Sequence, residues 1–395
     1  MRADPGKSSM TAPAAIVGIG ATPYYFRGTS LPQTVYELIG KAVLMATDDA
    51  GLGVDDIDGM TFFAHGFDTA TIVEMLGMPQ ITFAHTVAGY GAGMAGVLDL
   101  AAMAIETGRA KVVVCIGAAQ QAGNRYGAAL GRLPSTPDSI FHRIAGLSGP
   151  GQAMALMTQR HMYEFGTRRE AFGEIVIASR AAAFNRETAI RRKHLTMDEY
   201  MASPMLADPL CRLDFCLETD GALAFVVTSA ERARDLKQKP VYISATAQVA
   251  NRDWGRGFFW MGQTPEAFVS AGAAGVAERL RQTAGYDPKD MDLACIYDHF
   301  SPMVLMQLED YGFCKKGEGG AFVESGAIRL DGPVPINPHG GHLSEGYVTG
   351  MTHVHEAVEQ LRGVAVNQIA GARRVLVTGG PAPHPLTAAI LSNER

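Results

Sequence analysis

"GYGAGMAGVLDLAAMAIETGRAKVVVCIGA", residues 89–118, is a helix-then-strand segment whose opening recurs later in the chain as "GYVTGMTHVHEAVEQLRG", residues 346–363. Both copies begin Gly-Tyr-x-x-Gly-Met, and apolar residues then recur at helical spacing in each. An apolar strand follows each helix, at Val112–Ile116 and at Val375–Thr378, as is typical of strands covered on both faces. The repetition predicts a duplicated fold.

Two further segments repeat one another in the same order. "ELIGKAVLMATDDAGLGVDDIDGMTFFAHGF", residues 37–67, and "VAERLRQTAGYDPKDMDLACIYDHFSP", residues 276–302, each join a helical pattern ending at Ala-Gly to an acidic turn and a short apolar strand. Each series also begins with a strand, "AAIVGIG" from Ala14 and "PVYISATAQ" from Pro240. Strands that alternate with helices predict an α/β architecture built from two similar halves.

The halves are predicted to cover residues 1–235 and 236–395. The seam lies in "ETDGALAFVVTSAERARDLKQKP", residues 218–240, which joins a strand to a charged linker. The first half carries a long insertion at about 119–215, where the sequence indicates helices and loops.

The composition is that of an ordinary globular protein: of 395 residues, 47% are hydrophobic and 19% are charged. A net charge of −6, without a lysine/arginine run, argues against nucleic-acid binding. No stretch is long and apolar enough to span a bilayer, and the N-terminus lacks a signal peptide's apolar centre, so we expect a cytoplasmic protein that does not associate with membranes. Five irregularly spaced cysteines indicate neither a disulfide framework nor a zinc knuckle.

Two motifs make the chain resemble the thiolase superfamily. "NPHGGHLSEGYVTG", from Asn337, resembles the thiolase segment N-x-x-G-G-x-x-x-x-G-H-P-x-G. "YDHFSPMVLMQLEDYGFC", from Tyr297, resembles the H-D-C-F or N-E-A-F segment of sterol-carrier-type thiolases. The resemblance covers nearly the whole chain and implies a five-layered αβαβα fold made of two duplicated halves, assembled as a homodimer.

The chain departs from thiolases at each catalytic position. The slot of the nucleophilic cysteine falls at Tyr90 or Gly91, and neither is cysteine. The thiolase Gly-His-Pro is Gly-Tyr-Val at residues 346–348, and Tyr297 replaces the histidine or asparagine that opens the other motif. The second catalytic cysteine is also missing, because "VTGGPAP" stands in its place. Claisen chemistry through an acyl-cysteine is therefore not expected.

A subgroup labelled lipid-transfer protein or acetyl-CoA acetyltransferase is similar to this chain at the same substitutions, and its studied members are aldolases of steroid side-chain degradation. The resemblance implies retro-aldol cleavage of a β-hydroxyacyl-CoA. The expected substrate is a 17-hydroxy steroid with a C20-carboxyl-CoA side chain, cleaved to a 17-ketosteroid and propionyl-CoA. The resemblance also implies a zinc-ribbon/OB-fold partner of the DUF35 type in a heterotetramer. No cofactor beyond the CoA of the substrate is expected.

Two tyrosines are the predicted catalytic residues, Tyr297 and Tyr347. Retro-aldol cleavage removes a proton from the β-hydroxyl and returns one to the enolate carbon, so it needs acid–base groups and no nucleophile. A phenol, with a pKa of about 10, is a poor base unless it is tuned. Tyr347 is predicted to precede a helix over Val348–Leu361, whose unpaired N–H groups and dipole would favour a phenolate.

Other motif residues are predicted to support these tyrosines or to bind substrate. The glycines of the Gly-Gly pair would let backbone N–H groups reach the thioester oxygen. The supporting and oxyanion residues are His299, Asp298, Gly340, Gly341 and His342, and the substrate- or CoA-binding residues are Tyr90, Gly91 and Lys315.

Several alternatives stay open at this point. The chain could be a degenerate thiolase that cleaves a β-ketoacyl-CoA, or a non-catalytic, lipid-binding scaffold in which Tyr347 only packs. His339-x-x-His342 and His353-x-His355 are expected to be solvated or supporting rather than metal ligands, so no metal is predicted. Asp298 could orient a neighbour or cap a turn. A solvated loop is an equal alternative for the lysine at residue 315.

Overall fold

The computed structural model describes most of the chain. The described residues are 14–63, 67–87, 89, 91–122, 140, 144–147, 149–250, 267–380 and 385–395. Tyr90 lies outside them. Among the described residues, no helix is long and apolar enough to cross a membrane.

Five strands of the first half form one continuous part of the main sheet. They are β1 (Ala14–Ala21), β3 (Gly59–Phe63), β4 (Phe83–Val87), β5 (Val112–Ala119) and β8 (Thr219–Ser229). Their order is β4–β3–β5–β8–β1, and a two-residue strand, β2 (Tyr25–Phe26), pairs with β8 beside it. The pairs β1/β8 and β8/β5 are antiparallel, whereas β5/β3 and β3/β4 are parallel.

Four strands of the second half repeat this arrangement. They are β9 (Val241–Val249), β10 (Leu293–Cys295), β11 (Arg374–Thr378) and β12 (Leu386–Ser392). Their order is β9–β12–β11–β10, with two antiparallel pairs followed by a parallel pair, as in β1–β8–β5–β3. Among the described strands, the two halves of the sheet join where β1 pairs with β9 over two residues. The predicted duplication is therefore confirmed, while the boundary at residues 235/236 stays a prediction.

Helices complete five layers. The outer layer of the first half contains α1 (Val35–Ala50) and α2 (Thr69–Leu76), and the central layer contains α3 (Gly96–Glu106). In the described part of the insertion, the helices are α4 (Pro150–Phe165), α5 (Arg169–Ala183) and α6 (Met197–Met201), with a small hairpin of β6 (Met205–Ala207) and β7 (Leu210–Cys211). Those of the second half are α7 (Ala274–Ala284), α8 (Ser301–Asp310), α9 (Gly319–Glu324), α10 (Gly341–Ser344) and α11 (Met351–Arg362).

The central layer consists of α3 and α11, which both contact strands of the two halves and share one apolar core with them. The α7 and α8 helices pack in a separate core on the far side of the second sheet. The order is thus helix, sheet, helix, sheet, helix, which confirms the five-layered α/β thiolase-like fold.

The central helix α11 is unusual because it buries polar residues among its apolar ones. Val354, Val358 and Leu361 pack in the core, yet His353 and Glu356 are also fully buried. Buried polar groups of this kind need partners inside the protein. Their partners lie in the segments that carry the predicted catalytic residues, so the helix that organises the core also organises the site.

This helix begins three residues later than the sequence predicts. The residues before it, Thr349 and Gly350, have φ angles of 51° and 93°, in the left-handed region that a right-handed helix cannot contain. The expectation of a helix from Val348 is therefore wrong, and Tyr347 lies in a short loop four residues ahead of Met351.

Candidate active site

The two predicted catalytic tyrosines, both from the second half, are in direct contact. Their hydroxyl oxygens are 2.9 Å apart and share a hydrogen bond. Both side chains are buried, each with 2% of its surface exposed. Tyr297 follows β10 and leads into α8, and Tyr347 follows α10. The hydroxyls touch directly, so a substrate would have to bind beside the pair or come between its members.

A ring of buried hydrogen bonds fixes the backbone of Tyr297. Its N–H donates to Oγ1 of Thr378 over 3.0 Å, and this hydroxyl donates to Oε1 of Gln307 over 2.8 Å. The amide nitrogen of Gln307 donates back to the carbonyl oxygen of Tyr297 over 2.8 Å. Sequence reasoning missed both partners, although Thr378 belongs to the segment from which the second thiolase cysteine is missing.

One threonine of the first half holds Tyr347. Oγ1 of Thr219 accepts a hydrogen bond from the N–H of Tyr347 and donates one to its carbonyl oxygen, each over 2.8 Å. Thr219 is the first residue of β8 and is fully buried. The "ETDGA" segment thus reaches the site through its threonine, a role that the sequence did not reveal.

Three glycines surround the ring of Tyr297. A Cβ on Gly91 would lie 1.8 Å from both Cζ and the hydroxyl oxygen of this tyrosine. A Cβ on Gly380 or Gly350 would lie 2.1 Å or 2.9 Å from ring carbons. Of the two positions considered for the thiolase cysteine, Gly91 is therefore in contact with the tyrosine pair. The phenol fills the space that a side chain at this position would need.

Asp298 both caps a helix and lies beside a histidine, so the two roles left open for it coexist. Its carboxylate accepts the N–H groups of His342 over 2.9 Å and of Leu343 over 3.2 Å at the start of α10. Its Oδ1 is also 3.1 Å from Nδ1 of His342. A Cβ on Gly341 would lie 2.1 Å from this carboxylate, so glycine is what allows the close approach.

The oxyanion or supporting role expected of Gly340 stays a prediction. Its N–H donates to the carbonyl oxygen of Asn337 over 2.8 Å, so this donor is committed within the turn. A Cβ here would lie 2.6 Å from Cβ of Ala183, which shows that this glycine permits close packing against α5. The corresponding role of Gly341 stays a prediction.

Two buried histidines connect the segments that carry the tyrosines. Nε2 of His353 is 3.3 Å from Oδ1 of Asp298, and its Nδ1 is 2.9 Å from Nε2 of His339. The same nitrogen of His339 is 4.0 Å from the carboxylate of Glu345, two residues before Tyr347. Burial is the main cause that lowers the pKa of His339 well below its ordinary value, which keeps it neutral.

Of the two roles expected for these histidines, solvated or supporting, the solvated one is wrong for His339, His342 and His353, because all three are fully buried. Their pattern in the sequence resembles a surface loop, but the central position of α11 encloses them. Burial also lowers the pKa of His342 well below its ordinary value, helped by the charge of His353. His342 and His299 lie edge-on to the ring of Tyr297, with ring centroids 4.6 Å and 5.2 Å away.

An arginine of the insertion binds Glu345, the last residue in the series of contacts Asp298–His353–His339–Glu345. Arg186 pairs with Glu345, with Glu356 over 2.8 Å and with Glu359 over 2.8 Å. Burial alone would lower the pKa of Arg186, but the three carboxylates raise it, so the guanidinium stays charged. The insertion thereby fixes the loop before Tyr347.

One group of residues could hold a metal ion. Ligand atoms of Asp298, His342 and His353 all lie within 4.8 Å of one another. One carboxylate and two imidazoles are ligands that Zn²⁺ accepts. The carboxylate of Asp298 already accepts two backbone N–H groups and lies beside Nε2 of His353. The same cluster is therefore also explained without a metal, as a set of polar contacts that hold the start of α10 in place. The expectation of no metal stays a prediction.

Lys315, the lysine predicted to bind CoA, is not among the residues that contact the tyrosine pair. Lys315 lies beyond the C-terminal end of α8, whereas Tyr297 precedes the N-terminal end of that helix. Its side chain is 87% exposed and is 3.9 Å from the carboxylate of Glu318. Its neighbour Lys316 is bound to Glu309 and Asp310. A contact between Lys315 and CoA stays a prediction.

Comparisons with known proteins agree with this geometry. The family model "Thiolase C-terminal domain-like" matches residues 261–393. A 17-hydroxy-3-oxo-4-pregnene-20-carboxyl-CoA lyase of Mycobacterium tuberculosis is 40% identical over 380 residues, which cover 94% of this chain and 97% of the relative. A steroid side-chain-cleaving aldolase of Thermomonospora curvata is 37% identical, covering 98% of this chain and 100% of the relative.

Among solved structures, the Ltp2-ChsH2(DUF35) aldolase superposes with a TM-score of 0.90 and 34% identity, covering 98% of this chain and 100% of the other. These relatives are lyases or aldolases that match along their full length, so the non-catalytic scaffold is wrong and the chain is a carbon–carbon lyase. With the thiolase architecture, the cysteine-free centre and these relatives together, the chain belongs to the steroid side-chain-cleaving aldolases of the thiolase superfamily.

Proposed function

We propose that this protein is a retro-aldolase that cleaves a β-hydroxyacyl-CoA with two tyrosines as its acid and base. The observation that carries the proposal is the hydrogen bond of 2.9 Å between the buried hydroxyls of Tyr297 and Tyr347. Two hydroxyls in contact can pass a proton between them, which is what the reaction requires. One tyrosine accepts the β-hydroxyl proton, and the other delivers a proton to the enolate carbon.

The proposed substrate is a 17-hydroxy steroid whose side chain ends in a C20-carboxyl-CoA, as the names of the relatives indicate. The bond between C17 and C20 breaks as the C17 hydroxyl loses its proton and becomes a ketone. The electron pair moves onto C20 as the enolate of the thioester, and C20 is then protonated. The products are a 17-ketosteroid and propionyl-CoA, and no redox cofactor or covalent enzyme intermediate is required.

The side chains in contact argue against thiolase chemistry. The thiolase alternative needs a thiolate beside the reacting carbonyl, but the space next to Gly91 contains the phenol of Tyr297. Burial raises the pKa of each of the five cysteine thiols and so disfavours a thiolate; these residues are Cys115, Cys211, Cys216, Cys295 and Cys314.

The proposed assembly is a homodimer that binds two copies of a DUF35-type zinc-ribbon/OB-fold protein. Support for the partner comes from the structural relative, the Ltp2-ChsH2(DUF35) aldolase, whose name includes a DUF35 component. Support for the dimer comes from β4, which ends the sheet order and exposes Ala84, His85 and Thr86 along an edge that another chain could cover. A CoA thioester as substrate fits a cytoplasmic location.

The direct test is to replace each tyrosine with phenylalanine, which removes only the hydroxyl. Tyr297→Phe and Tyr347→Phe should each lower kcat by about 100-fold or more, since the loss of a general acid or base costs about 100- to 10,000-fold. Products are measured by mass spectrometry of propionyl-CoA and the ketosteroid, with the partner co-expressed. Tyr311→Phe is a matched control, because Tyr311 is also buried but lies at the C-terminal end of α8, whereas Tyr297 precedes the N-terminal end of that helix. Near-normal turnover in both variants would refute the mechanism.

A further inference from the structure

A cationic surface lies at the C-terminal end of α5, where the insertion contacts the loop of Tyr347. Arg180 belongs to the last turn of this helix and is only 9% exposed. Phe184, four residues later, stacks on His194 with ring centroids 4.1 Å apart. Residues four apart share one side of a helix, so the exposed segment 191–194, "RRKH", passes along the side that carries Arg180.

Arg180 is a buried cation without a counter-charge. No carboxylate lies within 4.0 Å of it in the described parts of the chain, and its Nε is buried without a hydrogen-bond partner. Burial, together with the charge of Arg191, lowers its pKa to about 10. The C-terminal dipole of α5 offsets only part of the cost of burying the charge. Arg186, by contrast, has three carboxylates at its guanidinium.

An aromatic ring flanks the guanidinium of Arg191, and a second exposed ring lies at the end of α5. The guanidinium of Arg191 lies over the ring of Phe26, 5.0 Å from its centroid. Phe26 and Phe184 are each 42% exposed, although most large apolar side chains of the described chain are buried. Guanidinium groups bind phosphates through paired, charge-assisted hydrogen bonds, and exposed aromatic rings stack on bases. The combination fits a phosphorylated nucleotide better than it fits a simple inorganic anion.

This surface is within reach of the tyrosine pair. The N–H of Ile190 donates to the carbonyl oxygen of Glu345 over 3.0 Å, and the N–H of Arg191 donates to that of Ser344 over 2.9 Å. Tyr347 follows Ser344 by three residues, which is at most about 10 Å of extended chain. A ligand with a reactive thioester at one end and a nucleotide at the other could therefore contact both places.

We propose that Arg180 and Arg191 bind the phosphates of the nucleotide end of the CoA thioester, with Phe26 and Phe184 beside the base. The proposal rests on the proposed function, because it takes a CoA thioester as the substrate. It places the phosphate contacts on the insertion, at α5, and not at the lysine after α8. The unpaired charge of Arg180 is then the counterpart of a ligand charge.

Binding of CoA itself tests the proposal without any turnover. Isothermal titration of the full chain with CoA should show that Arg180→Gln and Arg191→Gln each weaken binding roughly 10-fold or more, since each removes a charge-assisted hydrogen bond. Arg168→Gln is the matched control: it removes the same charge from the other end of α5, where Glu324 neutralises it over 3.1 Å. Binding in this control should be unchanged.

Two further readouts separate a ligand contact from a structural role. Without CoA, Arg180→Gln should melt at the same temperature as the wild type or higher, because it removes an uncompensated buried charge. A pantetheine thioester, which lacks the nucleotide, should have the same KM with both arginine variants and the wild type. Unchanged CoA affinity in both variants, or an equal loss with the pantetheine thioester, would overturn the proposal. Failure of the aldol reaction alone would leave the CoA titration intact, so the two proposals fail separately.

Discussion

Gly91→Ala should disable Tyr297 without altering its chemistry. The added Cβ would lie 1.8 Å from Cζ and the hydroxyl oxygen, whereas ordinary contacts begin at 3.4 Å, so the ring must move by about 1.6 Å (3.4 − 1.8). It has little room to do so, because Gly350 and Gly380 are packed against the same ring. A displacement of this size breaks the 2.9 Å bond to Tyr347.

The expected result is a loss of about 100-fold or more in kcat, as for removal of an acid–base group. Overpacking should also lower the free energy of unfolding by about 1–3 kcal/mol. Turnover is measured by mass spectrometry of the released acyl-CoA, and stability by urea denaturation. Gly53→Ala is the control, because the nearest atom to its new Cβ is 3.9 Å away.

A double variant shows whether the ring is the cause. In a Tyr297→Ala background the space beside Gly91 is empty, so adding the Cβ should no longer destabilise the protein. Wild-type turnover in Gly91→Ala, or an equal destabilisation in both backgrounds, would refute the reasoning.

Three further predictions concern the supports of the site and its surroundings. Thr219→Val leaves the buried N–H of Tyr347 without its partner and should lower the free energy of unfolding, measured by urea denaturation, by about 1–3 kcal/mol, together with a loss of turnover. Thr219→Ser should restore both stability and turnover. A valine variant with wild-type stability and turnover would contradict the role of Thr219 in holding Tyr347. Iodoacetamide should leave turnover intact, since burial raises the pKa of every thiol; stoichiometric loss of activity on labelling one cysteine, with protection by substrate, would revive the thiolase alternative. Burial opposes the ionisation of Glu309, but the hydrogen bond from His161 and the charge of Lys316 lower its pKa below the ordinary 4.5. The stability that the ionised Glu309 contributes is present above pH 4.5 and lost as the pH falls below it. The free energy of unfolding of the wild type should therefore fall more steeply in acid than that of Glu309→Gln. Parallel profiles of this free energy against pH would contradict the prediction.

Much of the fold could be predicted because the chain is duplicated, so that the same sequence pattern occurs at equivalent positions of both halves. The α3 and α11 segments must both be buried between sheets, so both begin Gly-Tyr-x-x-Gly-Met and continue with apolar residues at helical spacing. The strands that follow are covered on both faces and are correspondingly apolar. The two tyrosines were found through motifs for a related reason, since each replaces a residue at a position fixed by its neighbours.

The supports of the tyrosines could not be predicted in this way. Thr219 and Thr378 come from distant parts of the sequence and reach the tyrosines only when the sheets have formed. Gln307 lies in the second motif, but nothing in that motif shows that its amide donates back to the carbonyl oxygen of Tyr297. The start of α11 was misplaced because nothing in an apolar-periodic pattern reveals that Thr349 adopts a positive φ. Likewise, histidines between glycines resemble a solvated loop until the packing of His353 in the central helix is known.

The absence of the cysteine and the presence of the tyrosine are one structural fact. A Cβ at residue 91 and the phenol of Tyr297 would be 1.8 Å apart, so the site can contain a side chain at residue 91, ahead of α3, or a tyrosine on the second motif, but not both in this arrangement. Adding a cysteine would therefore displace the ring of Tyr297 and separate it from Tyr347. The chain is then not a thiolase that lost a residue, because its glycines at 91, 350 and 380 together make the space that the ring occupies. That space, the two hydrogen bonds between Thr219 and Tyr347 and the buried histidines behind both tyrosines hold two phenols in contact, and the proposed retro-aldol mechanism depends on this contact.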